Sequence, residues 1–207
     1  MNEELSRLID EAARRILAGG VVAYPTETCY GLAARADDMT AVERVRVLKG
    51  RDERPVSVLV ADASWLDRLA LPLNDAERRL VAAFWPGPLT LCLRPLQETA
   101  TARLAAPLLG VRCSSHPVAI ELARRAGVPL TSTSANLTGQ PVTASEAEVR
   151  RVFAGEDVLV LSDPTPRDTP AESTVVAIID DALKIFREGV IPAAEIRRAL
   201  ADLLPPP

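Results

Sequence analysis

A few polar stretches, set between apolar runs, are where this chain could do chemistry. Lys49-Gly50-Arg51, with Arg54 close behind, gathers cations around a glycine. A lysine can act as a point charge on a polyphosphate and an arginine can grip it with two donors. The triplet therefore reads either as a phosphate clamp or as a helix end whose cations offset the macrodipole. Ser132-Thr133-Ser134-Ala135-Asn136 offers hydroxyls, a carboxamide and backbone donors in small residues that could lie close to a nucleotide, or else a plain serine-rich turn. Arg112 stands in the apolar setting Gly110-Val111-Arg112-Cys113, and an arginine within a strand pattern needs a carboxylate or phosphate, whether from a ligand or a salt bridge. Arg187 is a further candidate anion ligand, or an edge charge that discourages aggregation.

A second polar loop, Thr26-Glu27-Thr28, follows the apolar run Val21 to Tyr24 and a proline that cannot donate to a continuing ladder. It reads as a loop delivered to the mouth of a sheet, where small-molecule sites collect, or as a Pro-Thr turn. His116, the single histidine, precedes Pro117 and reads as a helix start. No Ser-His-Asp arrangement follows from it.

The elements that must position these residues alternate. Helical spacing is predicted over Leu5 to Leu17, from Thr40 with Glu43 as a capping box towards Lys49, from Asn74 with Glu77, over Pro117 to Ala126, from Ser145 with Glu148, and around Ile196 and Leu200. Strands are predicted at Val21–Tyr24, Val56–Val60, Leu89–Leu93, Leu108–Cys113, Leu130–Thr131 and Val158–Leu161, with a closing hairpin of Ser173–Ile179 and Leu183–Phe186. Trp85-Pro86-Gly87-Pro88 forces a rigid turn that the tryptophan anchors. Ser162 to Glu172, rich in proline and charge, reads as a surface loop that could close as a lid. The pattern is α/β of the α+β type, a mixed sheet with helices packed on it, in a single domain.

The chain has 207 residues, 48% apolar and 25% charged, enough to bury a sizeable core. A formal net charge of −4 argues against a protein whose main task is neutralising nucleic-acid phosphates. Cys29, Cys92 and Cys113 lack metal-ligand spacing and suit a reducing compartment. The acidic N-terminus does not fit a signal peptide, and no apolar run reaches a membrane-spanning length. A cytoplasmic enzyme or binding protein is expected.

Tyr24-Pro25-Thr26-Glu27-Thr28-Cys29-Tyr30-Gly31-Leu32, Lys49-Gly50-Arg51, Trp85-Pro86-Gly87-Pro88-Leu89-Thr90, Val111-Arg112, His116-Pro117, Ser132-Thr133-Ser134-Ala135-Asn136 and Glu172-Ser173-Thr174-Val175-Val176 occur in the order of the Sua5/YciO/YrdC family. The chain resembles that family from about Leu5 to Leu200. The resemblance implies a YrdC/RibB-like twisted mixed sheet with a concave basic cavity and, for a chain of this length, no additional C-terminal Sua5 domain. It implies synthesis of L-threonylcarbamoyladenylate and pyrophosphate from L-threonine, bicarbonate or CO2, and ATP with Mg2+, for the threonylcarbamoyladenosine modification of tRNA. Other proteins would carry out the transfer, and tight tRNA binding is not expected. The alternative is a YciO-like paralogue, or an RNA- or nucleotide-binding module without synthase activity.

The same resemblance implies the site. Lys49 and Arg51 would be catalytic. Thr28, Arg112, Ser134, Ser173 and Leu59 would bind L-threonine, with Arg112 on its carboxylate. Lys49, Arg51, Arg54, Leu108, Asn136, Ala144 and Arg187 would bind ATP. No protein side chain is expected to ligate a metal directly.

Overall fold

The computed structural model describes residues 2–50, 55–162 and 171–203. Its helices are α1 (Glu3–Leu17), α2 (Met39–Lys49), α3 (Asp75–Phe84), α4 (Pro117–Ala126), α5 (Glu146–Val152) and α6 (Ala193–Ala199). The strands are β1 (Val21–Pro25), β2 (Tyr30–Ala33), β3 (Ser57–Leu59), β4 (Leu89–Leu93), β5 (Leu109–Arg112), β6 (Leu130–Ser134), β7 (Val158–Val160), β8 (Thr174–Ile179) and β9 (Ala182–Arg187). They form one mixed sheet in the order β7-β1-β2-β6-β3-β5-β4-β8-β9. Parallel pairs (β1 with β7, β3 with β5, β4 with β8) are interleaved with antiparallel ones, as the mixed pattern predicts.

Local chemistry accounts for most boundaries. Both capping boxes, Asn74 with Glu77 and Ser145 with Glu148, are formed. His116 caps α4, its ring Nδ1 accepting from Val118 N at 3.3 Å, and Pro117 supplies the first turn. Trp85 anchors its turn by donating from Nε1 to the Leu89 carbonyl at 2.9 Å.

Three expectations are corrected. The N-cap of α2 is Asp38, whose Oδ1 accepts from Thr40 N at 2.9 Å and Ala41 N at 3.4 Å, so Thr40 is inside the helix. Strand β2, absent from the sequence reading, pairs with β1 through Pro25↔Tyr30 and Tyr24↔Gly31. Strand β6 does not stop at Thr131 but runs on to Ser134, so most of the serine-rich stretch is sheet rather than loop. The lid expected over Ser162 to Glu172 falls largely on residues 163–170, outside the described residues.

Each face of the sheet is covered differently. Val22, Tyr24, Leu59 and Leu130 on one face pack beneath α1 and α4, where Ile9, Ile16, Val118 and Leu122 are fully buried. On the other face α2 and α5 cover Val21, Ala23 and Leu32, and α3 and α6 cover Val58, Leu91, Val111 and Val176. Helices α1 and α4 reach only part of their face, and the site lies in the remainder.

Candidate active site

Strand register explains why polar side chains collect on that uncovered stretch. Tyr24 faces Gly31, Gly31 faces Ser134, and Ser132 faces Ser57. Arg112 faces Thr90, Thr90 faces Val175, and Val175 faces Arg187. Directly opposed residues share a face, so this row runs across every strand from β1 to β9 except β7. All of these residues line a cavity of about 300 Å³, with Lys49, Asn136 and Ser173 at its walls. Among the described lining residues the charged groups are Lys49, Arg112 and Arg187 against the carboxylate of Glu172. Cations thus outnumber carboxylates in the lining although the chain is acidic overall.

Arg112 is 6% exposed. Its Nη2 donates to Glu27 Oε1 at 2.8 Å and to Thr28 Oγ1 at 2.9 Å, while its buried Nε has no partner among the described residues. Burial pushes the Glu27 carboxyl up, but the Arg112 charge and hydrogen bonds from Arg112 and Ser114 outweigh it and hold the group below the usual carboxylate range. The sign follows from that lowering. The stability Glu27 contributes is present above the ordinary carboxylate pKa and is lost as pH falls through the lowered one. Tyr24, pushed up to about 12 by burial, is a neutral wall.

Lys49, the last residue of α2, is 4% exposed. Its ammonium donates to the Ser134 carbonyl, to the Asn136 carbonyl at 2.8 Å and to Asn136 Oδ1 at 3.4 Å. Gly50 at φ 57° supplies the left-handed cap that ends α2. The Asn136 amide donates to the carbonyls of Leu137 at 3.1 Å and Gln140 at 2.6 Å, which folds the following loop beside the cavity. At the far end Arg187 donates from Nε to the Ser173 carbonyl and from Nη2 to Ser173 Oγ, both at 3.0 Å, and pairs with Glu172. Ser173 Oγ also lies 2.9 Å from Thr90 Oγ1.

The cavity thus brings together Lys49, Arg112, Ser134, Asn136, Ser173 and Arg187 from the sequence reading. Arg51 and Arg54 lie outside the described residues. Thr28 is fully buried beside Arg112 rather than in the lining. Leu59, Leu108 and Ala144 are not among the residues lining this cavity. Leu59 is held in the apolar layer beneath α1 and α4, and Leu108 precedes β5 at the end opposite Arg112. The Ala144 N–H donates to Glu148 Oε2 at 2.7 Å in the α5 cap. Sequence reasoning gave no role to Ser57 and Thr90, and it treated Ser132 only as part of the hydroxyl-rich run. The signal was present in Val56-Ser57-Val58 and Leu89-Thr90-Leu91, single polar residues alternating with buried apolar ones.

The family model Sua5/YciO/YrdC, described as "Telomere recombination", matches residues 14–189. The chain belongs to the Sua5/YciO/YrdC family. It is similar to the threonylcarbamoyl-AMP synthase of Bacillus subtilis strain 168, 34% identical over 198 residues, covering 94% of this chain and 57% of that one. It is 35% identical over 207 residues to a putative threonylcarbamoyl-AMP synthase of Mycobacterium tuberculosis H37Rv, covering 96% of this chain and 91% of the relative. Among solved structures, P. abyssi Sua5 complexed with L-threonine superposes with a TM-score of 0.86 at 32% identity, covering 93% of this chain and 57% of that one. The chain therefore spans little more than half the length of some relatives and nearly all of others. The YrdC-type mixed sheet expected from the sequence is the fold observed.

Within this Sua5/YciO/YrdC fold, Gly31 is required sterically. A Cβ on Gly31 would stand 2.9 Å from Tyr24 Cε1 and Cζ and 3.0 Å from its hydroxyl. Tyr24 is fully buried and has nowhere to retreat except into the cavity. Gly31→Ala is expected to cost about 1–3 kcal/mol of stability, the usual range for overpacking. Thermal melts and ligand titrations on the same preparation would check this, with weakened ligand binding expected alongside the lowered melting temperature.

Proposed function

We propose that this chain is an L-threonylcarbamoyladenylate synthase, a nucleotidyltransferase acting on L-threonine, bicarbonate or CO2, and ATP. The observation that carries the reading is the state of Arg112. It is a buried guanidinium in a polar cavity, with one nitrogen held by Glu27 and Thr28 and another lacking a partner. A buried guanidinium fixed at the cavity wall suits an anionic group such as the carboxylate of an amino acid, through its charge. Lys49 and Arg187, elsewhere along the cavity, suit the phosphates of ATP. The names of the relatives and the L-threonine complex of the P. abyssi protein support the same assignment.

The chemistry needs alignment rather than a protein nucleophile. Threonine's neutral amine attacks CO2, an N–C bond forms and a proton leaves to give a carbamate. A carbamate oxygen then attacks the α-phosphorus of ATP, and the bond to the pyrophosphate leaving group breaks. Arg112 would fix the amino acid near the middle of the row. Lys49 would stabilise charge developing on the phosphates, with Arg51 assigned the same task from the sequence. Ser134 and Ser173 would position threonine, and Asn136 and Arg187 the nucleotide. Among the described residues no group of three or more His, Cys, Asp or Glu could hold a metal ion. Mg2+ would enter as the companion of ATP, with no protein site assigned.

The product would pass to the proteins that complete the tRNA modification, in the cytoplasm. Among the described residues no helix is long and apolar enough to cross a membrane. The test is pyrophosphate release from ATP by the pure protein, with L-threonine and bicarbonate present together, singly and not at all. Release that requires both is the expected result. ATP turnover indifferent to threonine would overturn the proposal.

A further inference from the structure

We propose that Glu27, which does not itself line the cavity, is the positioning residue that presents Arg112 to the amino-acid substrate. This rests on the reading of the cavity as a threonine and ATP site.

Glu27 sits at the apex of a loop that holds itself. Thr26 Oγ1 donates to the Cys29 carbonyl at 2.7 Å and accepts from Thr28 N at 3.1 Å and Cys29 N at 3.3 Å. The carboxylate above this closed turn divides its oxygens between two tasks. Oε1 accepts from Arg112 Nη2 at 2.8 Å, and Oε2 accepts from the Ser114 hydroxyl. Ser114 Oγ in turn accepts from His116 N at 3.1 Å, where α4 begins. Three segments distant in sequence, the β1–β2 loop, the end of β5 and the start of α4, are thereby tied through one carboxylate.

The arrangement does more than neutralise a buried charge. A salt bridge buried to this degree, with side chains 7% and 19% exposed, is weak warrant for stability because desolvation offsets the attraction. Its geometric effect is better defined. Glu27 and Thr28 both accept from Nη2, so the guanidinium plane is held in one orientation at the cavity wall. An arginine already immobilised spares the ligand the entropy of ordering it. Loss of Glu27 would leave the charge of Arg112 in place and release its orientation. The effect should therefore fall on threonine and spare ATP.

The experiment is steady-state pyrophosphate release for Glu27→Gln, Glu27→Asp and Ser114→Ala, varying L-threonine and ATP separately, with a thermal melt of each variant. Glu27→Gln is expected to raise the KM for threonine about tenfold or more, the scale of a lost hydrogen bond between charged groups, with the KM for ATP and kcat within about twofold. Glu27→Asp should recover part of the threonine affinity, and Ser114→Ala should shift it in the same direction by about threefold. An unchanged threonine KM in Glu27→Gln, or a fall in melting temperature and kcat without a change in KM, overturns the proposal. If Glu27→Gln does not fold, Ser114→Ala decides by the same criterion. Wild-type turnover without any threonine requirement would instead overturn the functional reading itself.

Discussion

Arg112→Lys is expected to raise the threonine requirement by about 30- to 150-fold while leaving the KM for ATP within about threefold, the cost of replacing a guanidinium held by Glu27 and Thr28 with a mobile point charge, some 2–3 kcal/mol. Lysine is the informative replacement because it keeps a cation beside Glu27. Alanine would leave a largely buried carboxylate uncompensated, and the loss would then mix binding with folding. Pyrophosphate release at saturating ATP across a threonine series separates the two. A lysine variant with wild-type threonine dependence would remove Arg112 from the substrate and leave it as a structural partner of Glu27.

The second large effect is expected at Lys49. Lys49→Met should lower kcat by about two to three orders of magnitude, the usual cost of removing one donor aimed at developing charge. It should also destabilise the protein, since the Ser134 and Asn136 carbonyls lose a buried donor at about 1–3 kcal/mol. In a chain of this size that is a drop of several degrees in melting temperature. Both effects have one origin. The lysine that would meet the phosphates also holds the end of β6 against the loop that follows it. Assays well below the lowered melting temperature distinguish them, because a lysine with only the second task would leave kcat intact.

Much of this was legible in the sequence because local rules decided it. Strand β4 and helix α4 have the bounds that their apolar pattern and flanking residues dictate, and Asn74 with Glu77 forms the box that its spacing specifies. Where two local rules competed, the wrong one was chosen. Thr40 with Glu43 satisfies the capping-box pattern, but Asp38 lies two residues earlier and its carboxylate accepts from Thr40 N and Ala41 N, which starts the helix sooner. Strand β2 was hidden because four residues including a glycine carry little strand propensity, and its pairing is set by the neighbouring chain. The end of β6 was misread for a functional reason. Hydroxyl side chains in mid-sheet contradict the usual buried-strand composition, and Ser132 and Ser134 are tolerated there because they face a cavity rather than a core.

The site was legible in part for the same reason. Arg112 announced itself as a charge in an apolar run, and Lys49 as a cation beside a helix-ending glycine. Ser57, Thr90 and Ser132 could be assembled only through register, a relation among strands that no single stretch contains. Leu59 and Ala144, which rest on the resemblance alone, are held by the apolar layer and by the α5 cap.

The row that floors the cavity also links catalysis to the folding clock. Tyr24 and Arg187 are first and last in a series of pairings that join strands far apart along the chain, and the sheet order leaves few neighbours that are also consecutive. Such non-local pairing must wait for long loops to close, which makes assembly slow and late. No single strand pair brings together Ser134, Arg112 and Arg187, which stand on β6, β5 and β9. Newly made or refolding chains therefore pass from inert to competent in one step, when the last pairing closes, and recovered turnover is a stopwatch for the whole domain rather than for any piece of it.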